Sequence, residues 1–110
     1  MAATFDSDEK ALTGTTPVDF VPDPGASNQS EALTCNVWNR DNTTRTIKAQ
    51  KTGGTVTPLE LGTVTLAAGA RGIIPIAGVV VKNGQKIQLV SDATAATTEP
   101  AAHVSWFKIP

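Results

Sequence analysis

Val79-Val80-Val81-Lys82-Asn83-Gly84-Gln85-Lys86-Ile87-Gln88-Leu89-Val90 is the stretch on which the fold turns. Two apolar runs flank an Asn-Gly pair. That pair favours the type I′ turn, whose two left-handed residues match the twist of a two-residue hairpin. The segment therefore predicts two adjacent antiparallel strands. The same grammar repeats upstream. Leu33, Cys35 and Val37 alternate with Thr34, Asn36 and Trp38, the period of two of a half-buried strand. Asn39-Arg40-Asp41-Asn42 reads as a turn. Thr43 to Lys51 alternates again, with Arg45, Ile47 and Ala49 on one face, and these two runs predict a second hairpin.

Further strand signals are Leu59, Leu61, Val64 and Leu66, then Ile73, Ile74 and Ile76, and a closing run from His103 to Ile109. Gly53-Gly54, Ala67-Ala68-Gly69-Ala70 and the small-residue stretch Ser91 to Ala102 separate them. No segment carries a capped helical stripe. Thr, Val and Ile favour pleated surfaces, and strands recurring every 8–12 residues characterise all-β sandwiches. The expected fold is all-β: one antiparallel β-sandwich, with a jelly roll or a partly closed barrel as its open variants.

The front of the chain differs. Met1 to Lys10 has no periodicity and only Phe5 as a large apolar group, so residues 1–10 are expected as an extended N-terminal arm. Residues 11–110 then form the sandwich. Within it, 11–21 is an edge strand, where Pro17 is tolerated, and 22–32 is a linking loop. Charge divides along the same line. Residues 1–31 carry six acids against Lys10 alone, and residues 32–110 carry four acids against eight bases, so the net −1 is a sum of −5 and +4.

Composition excludes several kinds of chemistry. One cysteine cannot form an intramolecular disulfide, and one histidine cannot build a histidine-rich metal centre. The apolar run from Gly72 to Val81 is broken by Pro75 and Gly78 and is too short to span a bilayer. The acidic start lacks the pattern of a secretory signal, so the chain is expected in a reducing compartment. His103 and Cys35 read as ordinary strand residues, since no Gly-x-Ser-x-Gly elbow or adjacent base accompanies them. Glu60 reads as solvent-facing. Asp6-Ser7-Asp8-Glu9 reads as a solvated acidic arm and not as a cation loop, lacking the glycine and distal glutamate of the latter. The eight bases of the body are scattered and poorly interleaved with aromatics, which argues against nucleic acid. No enzyme, cofactor, metal or small-molecule substrate is expected.

Four pieces in order carry a resemblance: Val37 to Asn39 before a Thr-rich turn, Val64 to Gly69, Val80 to Ile87, and His103 to Ile109. Together they resemble small virion proteins of tailed bacteriophages, over about three-quarters of the chain. Gln85 stands where that group usually has Asp, and Trp106 where it often has Gly. The resemblance implies a non-enzymatic capsid decoration (cement) protein. Its place would be the outer capsid surface of the virion, after synthesis in the host cytoplasm. Its partners would be the major capsid protein and neighbouring copies in a homotrimer, with no nucleic acid or membrane. The alternative it implies is a head–tail, tail or fibre accessory, with receptor or glycan binding. Phe5, Asp6, Asp8 and Glu9 are the expected arm contacts, and Trp38, Trp106 and Phe107 the expected body anchors or, equally, core residues.

Overall fold

The computed structural model describes residues 4–110. Nine strands occur in order: β1 Thr4–Ala11, β2 Val18–Val21, β3 Gln29–Trp38, β4 Arg45–Thr52, β5 Leu59–Leu66, β6 Arg71–Ile73, β7 Val80–Lys82, β8 Lys86–Ser91 and β9 Ala101–Ile109. They form two sheets. One runs β1-β9-β3-β6, with β7 also on β3, and the other runs β2-β8-β4-β5. Every pairing is antiparallel.

Strands β6 and β7 pair with opposite halves of β3 and so share one place in the sheet. Counting them together leaves two four-strand sheets with the interlocked order of a jelly roll. The sheets face one another and do not close into a barrel. Their inner residues make one core, including Phe20, Val21, Cys35, Val37, Ile47, Ile74, Ile76, Ile87, Leu89, Val104 and Trp106. Burial pushes the Cys35 thiol up to about 12, so it stays an inert apolar filler.

Strand β3 shows how the sequence pattern and the core are reconciled. Ser30 and Ala32 point inward, and so do Cys35 and Val37, although the two pairs differ in parity. The register shift between Ala32 and Thr34 supplies the extra residue, Leu33, that switches the inward face. At the same level β6 gives way to β7. The backbone between them bonds β3 directly, through Ile74 N–H to Cys35 C=O and Ala32 N–H to Val79 C=O.

Both predicted hairpins are corrected. Strands β3 and β4 lie in opposite sheets, as do β7 and β8, so each turn is an arch across the sandwich. At Asn83-Gly84 the Gln85 N–H bonds the Lys82 carbonyl, and Gly84 alone of the central pair has positive φ. That is a type II turn, whose twist splays the flanking strands where type I′ would pair them. The Gly84 carbonyl packs onto Gly53, where a Cβ would collide with it, closing this end of the molecule.

The expected arm is also revised. From Thr4 onward it is β1, paired through Ala11 with β9, and the pairing continues as Leu12 N–H bonds Pro100 C=O. The physical reason is the edge of β9, whose backbone groups β1 satisfies. Residues 1–3 lie outside the described residues. Only Val18–Val21 of the expected 11–21 strand is β2, which does sit at a sheet edge, and the linking loop ends before Gln29.

Candidate interaction surface

Strand registers determine which side chains share the outer face of the β1-β9-β3-β6 sheet. On β1 the outward residues are Phe5, Ser7, Glu9 and Ala11, opposite Phe107, Ser105, His103 and Ala101 of β9. On β3, beyond the bulge, Asn36 stands opposite His103 and Ile73, and Trp38 opposite Ala101 and Arg71. Four of the six exposed large apolar side chains among the described residues lie here: Phe5 at 59%, Ile73 at 67%, Trp38 at 40% and Phe107 at 37%. The other two, Val56 and Leu59, flank the start of β5.

At one end of this face the Phe5 and Phe107 rings meet edge to face, 5.8 Å apart at 75°. Such cross-strand aromatic pairs contribute about 0.5–1.5 kcal/mol beyond their buried area. The pair ties β1 to β9 but leaves both rings open to water. At the other end is an open hollow of about 300 Å³, lined by Glu9, Asn36, Trp38, Arg40, Arg71, Ala101, Ala102 and His103. The small Ala101 side chain forms its floor, and Ala102, whose methyl group points into the core, contributes no bulk there. Trp38 is its wall, with the Arg71 guanidinium 4.5 Å from the ring centroid and that of Arg40 6.0 Å away.

Buried polar contacts hold this end rigid. Asn39 is fully enclosed, and its side-chain amide donates to the carbonyls of Thr43, Leu66 and Ala67. Its Oδ1 accepts the Asp41 N–H. The Asp41 carboxylate accepts the N–H groups of Ala96 and Thr97 at 2.9 Å, the Thr97 hydroxyl at 3.0 Å and the Asn42 N–H at 2.9 Å. It also pairs with Arg45 at 2.8 Å. Led by the Ala96 amide, these donors outweigh desolvation and hold Asp41 well below the ordinary carboxylate range. The β3–β4 arch is thereby fastened to the β8–β9 loop. Arg40 joins the same seam, its Nε donating to the Glu99 carbonyl at 2.9 Å.

The expected contact residues separate into different environments. Phe5 and Phe107 come together, and Glu9 enters the hollow. Asp6 and Asp8 point from the opposite side of β1, where Asp8 pairs with Lys10 at 2.9 Å. The Lys10 ammonium also donates to the Asp19 carbonyl and lies 5.2 Å from the Phe20 ring centroid. Trp38 is exposed on the face. Trp106 is 4% exposed and belongs to the core, because its inward position on β9 faces the opposing sheet. Glu60 is exposed, and His103 stands on the strand as expected.

Sequence reading missed Arg40, Arg71 and Ile73 as members of one surface, since their proximity arises from strand order. Among the described residues no three of His, Cys, Asp and Glu gather as a metal site. Among the same described residues no helix is long and apolar enough to cross a membrane.

No protein-family model matches the sequence, and no curated relative is detected. Solved structures do share the fold. A chain in the acid-stable capsid structure of Helicobacter pylori bacteriophage KHP30 is similar with TM-score 0.59 and 10% identity, covering 100% of this chain and 94% of that one. A chain from the disulfide-linked endospore-appendage pili of Bacillus is similar with TM-score 0.53 and 12% identity, covering 98% and 86%. The tobacco streak virus coat protein is similar with TM-score 0.51 and 10% identity, covering 97% and 85%. At these identities the likeness is one of fold: the chain is an antiparallel jelly-roll sandwich that spans nearly all of each neighbour.

Proposed function

We propose that this protein is a non-enzymatic structural component of a virus particle: a capsid decoration (cement) protein on the outer surface of a tailed-phage head. The observation carrying the reading is the outer face of the β1-β9-β3-β6 sheet. It carries Phe5, Ile73, Trp38 and Phe107 in water, four of the six exposed large apolar side chains among the described residues, the other two being Val56 and Leu59 at the start of β5. Exposed apolar groups concentrated on one sheet face mark an interaction surface. The fold likeness to phage and plant-virus capsid chains supports placing that surface in a particle. So does the match in length to the chain from the KHP30 capsid structure, of which this chain covers 94%.

In this reading the face meets the major capsid protein, and neighbouring copies meet as a homotrimer around each attachment point. Many modest contacts repeated by symmetry give a strong total attachment. Edge strand β1 adds a second means of contact. Its outer backbone edge is open to a neighbouring strand, and its Asp6 stands exposed for a basic partner.

A fibre-borne glycan-binding role has weaker support. Sugars stack on open aromatic faces, and of the two tryptophans Trp106 is buried while Trp38 already carries Arg71. Quantitative mass spectrometry of purified particles tests the proposal. The chain is expected in fixed stoichiometry to the major capsid protein, and to rebind particles stripped of it. Absence from particles, or recovery with tails alone, would overturn the decoration role.

A further inference from the structure

We infer that the hollow beside Trp38 is a carboxylate-recognition site that takes an aspartate or glutamate side chain presented by a protein partner. The inference rests on the particle-binding role proposed above and names the chemistry of the contact.

The argument begins with two guanidinium groups left without acidic partners. The ion pairs among the described residues are Lys10 with Asp8, Arg45 with Asp41, and Lys86 with Asp19. Neither Arg40 nor Arg71 takes part in an ion pair among the described residues. Arg71 makes no side-chain hydrogen bond among the described residues, and Arg40 uses only its Nε, on the Glu99 carbonyl. Both lie by the Trp38 ring, Arg71 at 4.5 Å. Stacking on an aromatic face fixes the plane of a guanidinium and leaves its edge, with the N–H fork, free to donate. A carboxylate matches that fork with two parallel charge-assisted hydrogen bonds.

The surroundings narrow the ligand. The floor is the Ala101 side chain, and Ile73 stands exposed on strand β6 beside the hollow, so the occupant should bring apolar groups beside its acid. A free phosphate would leave those surfaces wet. A polyanion would meet Glu9 on the opposite wall, across from His103. An acidic side chain flanked by apolar residues on an extended segment satisfies all three conditions.

The chain contains its own reporter. It has no tyrosine and two tryptophans, of which Trp106 is buried, so changes in emission on binding at the hollow report Trp38. The experiment titrates the full chain with a capped Val-Glu-Val-Asp-Val peptide, its Gln/Asn counterpart and inorganic phosphate. A saturable change with the acidic peptide alone is expected, absent in Trp38→Phe. Arg71→Ala should weaken binding about tenfold or more, and Arg71→Lys, which keeps charge but loses the fork, should fall between. Glu9→Gln removes a like charge and should tighten binding about two- to fivefold.

An equal response to the amide peptide or to phosphate would overturn the inference, as would no saturation at millimolar peptide or indifference to Arg71→Ala. Rebinding of Arg71→Ala to stripped particles separates the two proposals. Wild-type rebinding by that variant would remove the hollow from the particle contact while leaving the decoration role intact. Failure of the wild-type chain to rebind, with peptide recognition retained, would do the reverse.

Discussion

The two outer faces of the sandwich each span four strand positions, yet they treat water differently. On the β2-β8-β4-β5 sheet the outward residues form a polar ladder. Asp19 accepts from Gln88 at 2.7 Å and Lys86 at 3.1 Å, and the next rung joins Gln50 to Gln88 at 3.2 Å. Thr46 and Thr65 share a hydrogen bond at 2.9 Å on the neighbouring strand pair. Its cross-strand partners satisfy one another, as on the solvated side of a sandwich. The β1-β9-β3-β6 face instead sets an aromatic pair, an isoleucine and a tryptophan with two unpaired arginines toward the exterior. The difference supports the proposal that the second face is one side of an interface.

The largest expected effect comes from erasing this asymmetry. Replacing Phe5 and Phe107 by Ser and Ile73 by Thr should lower particle affinity about 100-fold or more, since buried aromatic anchors dominate interfaces. Stability should fall by only about 1–2 kcal/mol, because Phe5 and Ile73 are largely exposed already and the main loss is the Phe5–Phe107 ring contact with the packing of Phe107. Rebinding assays paired with urea melts read both quantities. Equal losses after three comparable changes on the polar ladder would break the comparison.

An intermediate effect is expected at the seam that supports both faces. Asp41→Asn should lower the urea midpoint at neutral pH more than any change in the ladder, since it weakens acceptors for several loop amides. Asp41 has a folded pKa depressed below its unfolded value of about 3.9. Its stabilisation is therefore complete above that value and lost as pH falls toward the folded value. Urea melts below about pH 4 should show wild type converging on the variant. Parallel pH profiles for the two proteins would contradict the assignment.

The smallest effect belongs to the ladder itself. Asp19 is lowered chiefly by its Gln88 hydrogen bond, then by Lys86, against some desolvation. The group is half exposed, so water and salt screen it. Asp19→Asn should cost about 0.5 kcal/mol or less at neutral pH, with the same direction of loss in acid and no change in particle binding. A larger cost in the same melts would mean that the ladder is a structural brace.

Strand content was legible in the sequence because period-two alternation records which residues face the core. Cys35, Val37, Ile47, Ala49, Ile87 and Leu89 are buried as that pattern requires. Pairing was not legible. The same inward face results whether β7 folds back on β8 or crosses to the other sheet, and the backbone angle at Asn83 decides between them. Strand β1 escaped detection because it buries almost nothing: an edge strand held by backbone bonds leaves no apolar period. Asn39 and Asp41 read as turn formers, and they are, but the amides that Asp41 also holds lie about 55 residues away. The surface was half legible. Phe5, Glu9, Trp38 and Phe107 were marked by type, whereas Arg40, Arg71 and Ile73 joined them only through strand order.

The most direct test is covalent footprinting of the protein on intact particles against the free chain. Radical oxidation should fall at Phe5, Trp38, Ile73 and Phe107 in the bound state, while acetylation of Lys48 on the polar face stays unchanged. Protection of Lys48, with the four apolar residues oxidised as in the free chain, would contradict the assignment of the β1-β9-β3-β6 face as the surface that binds.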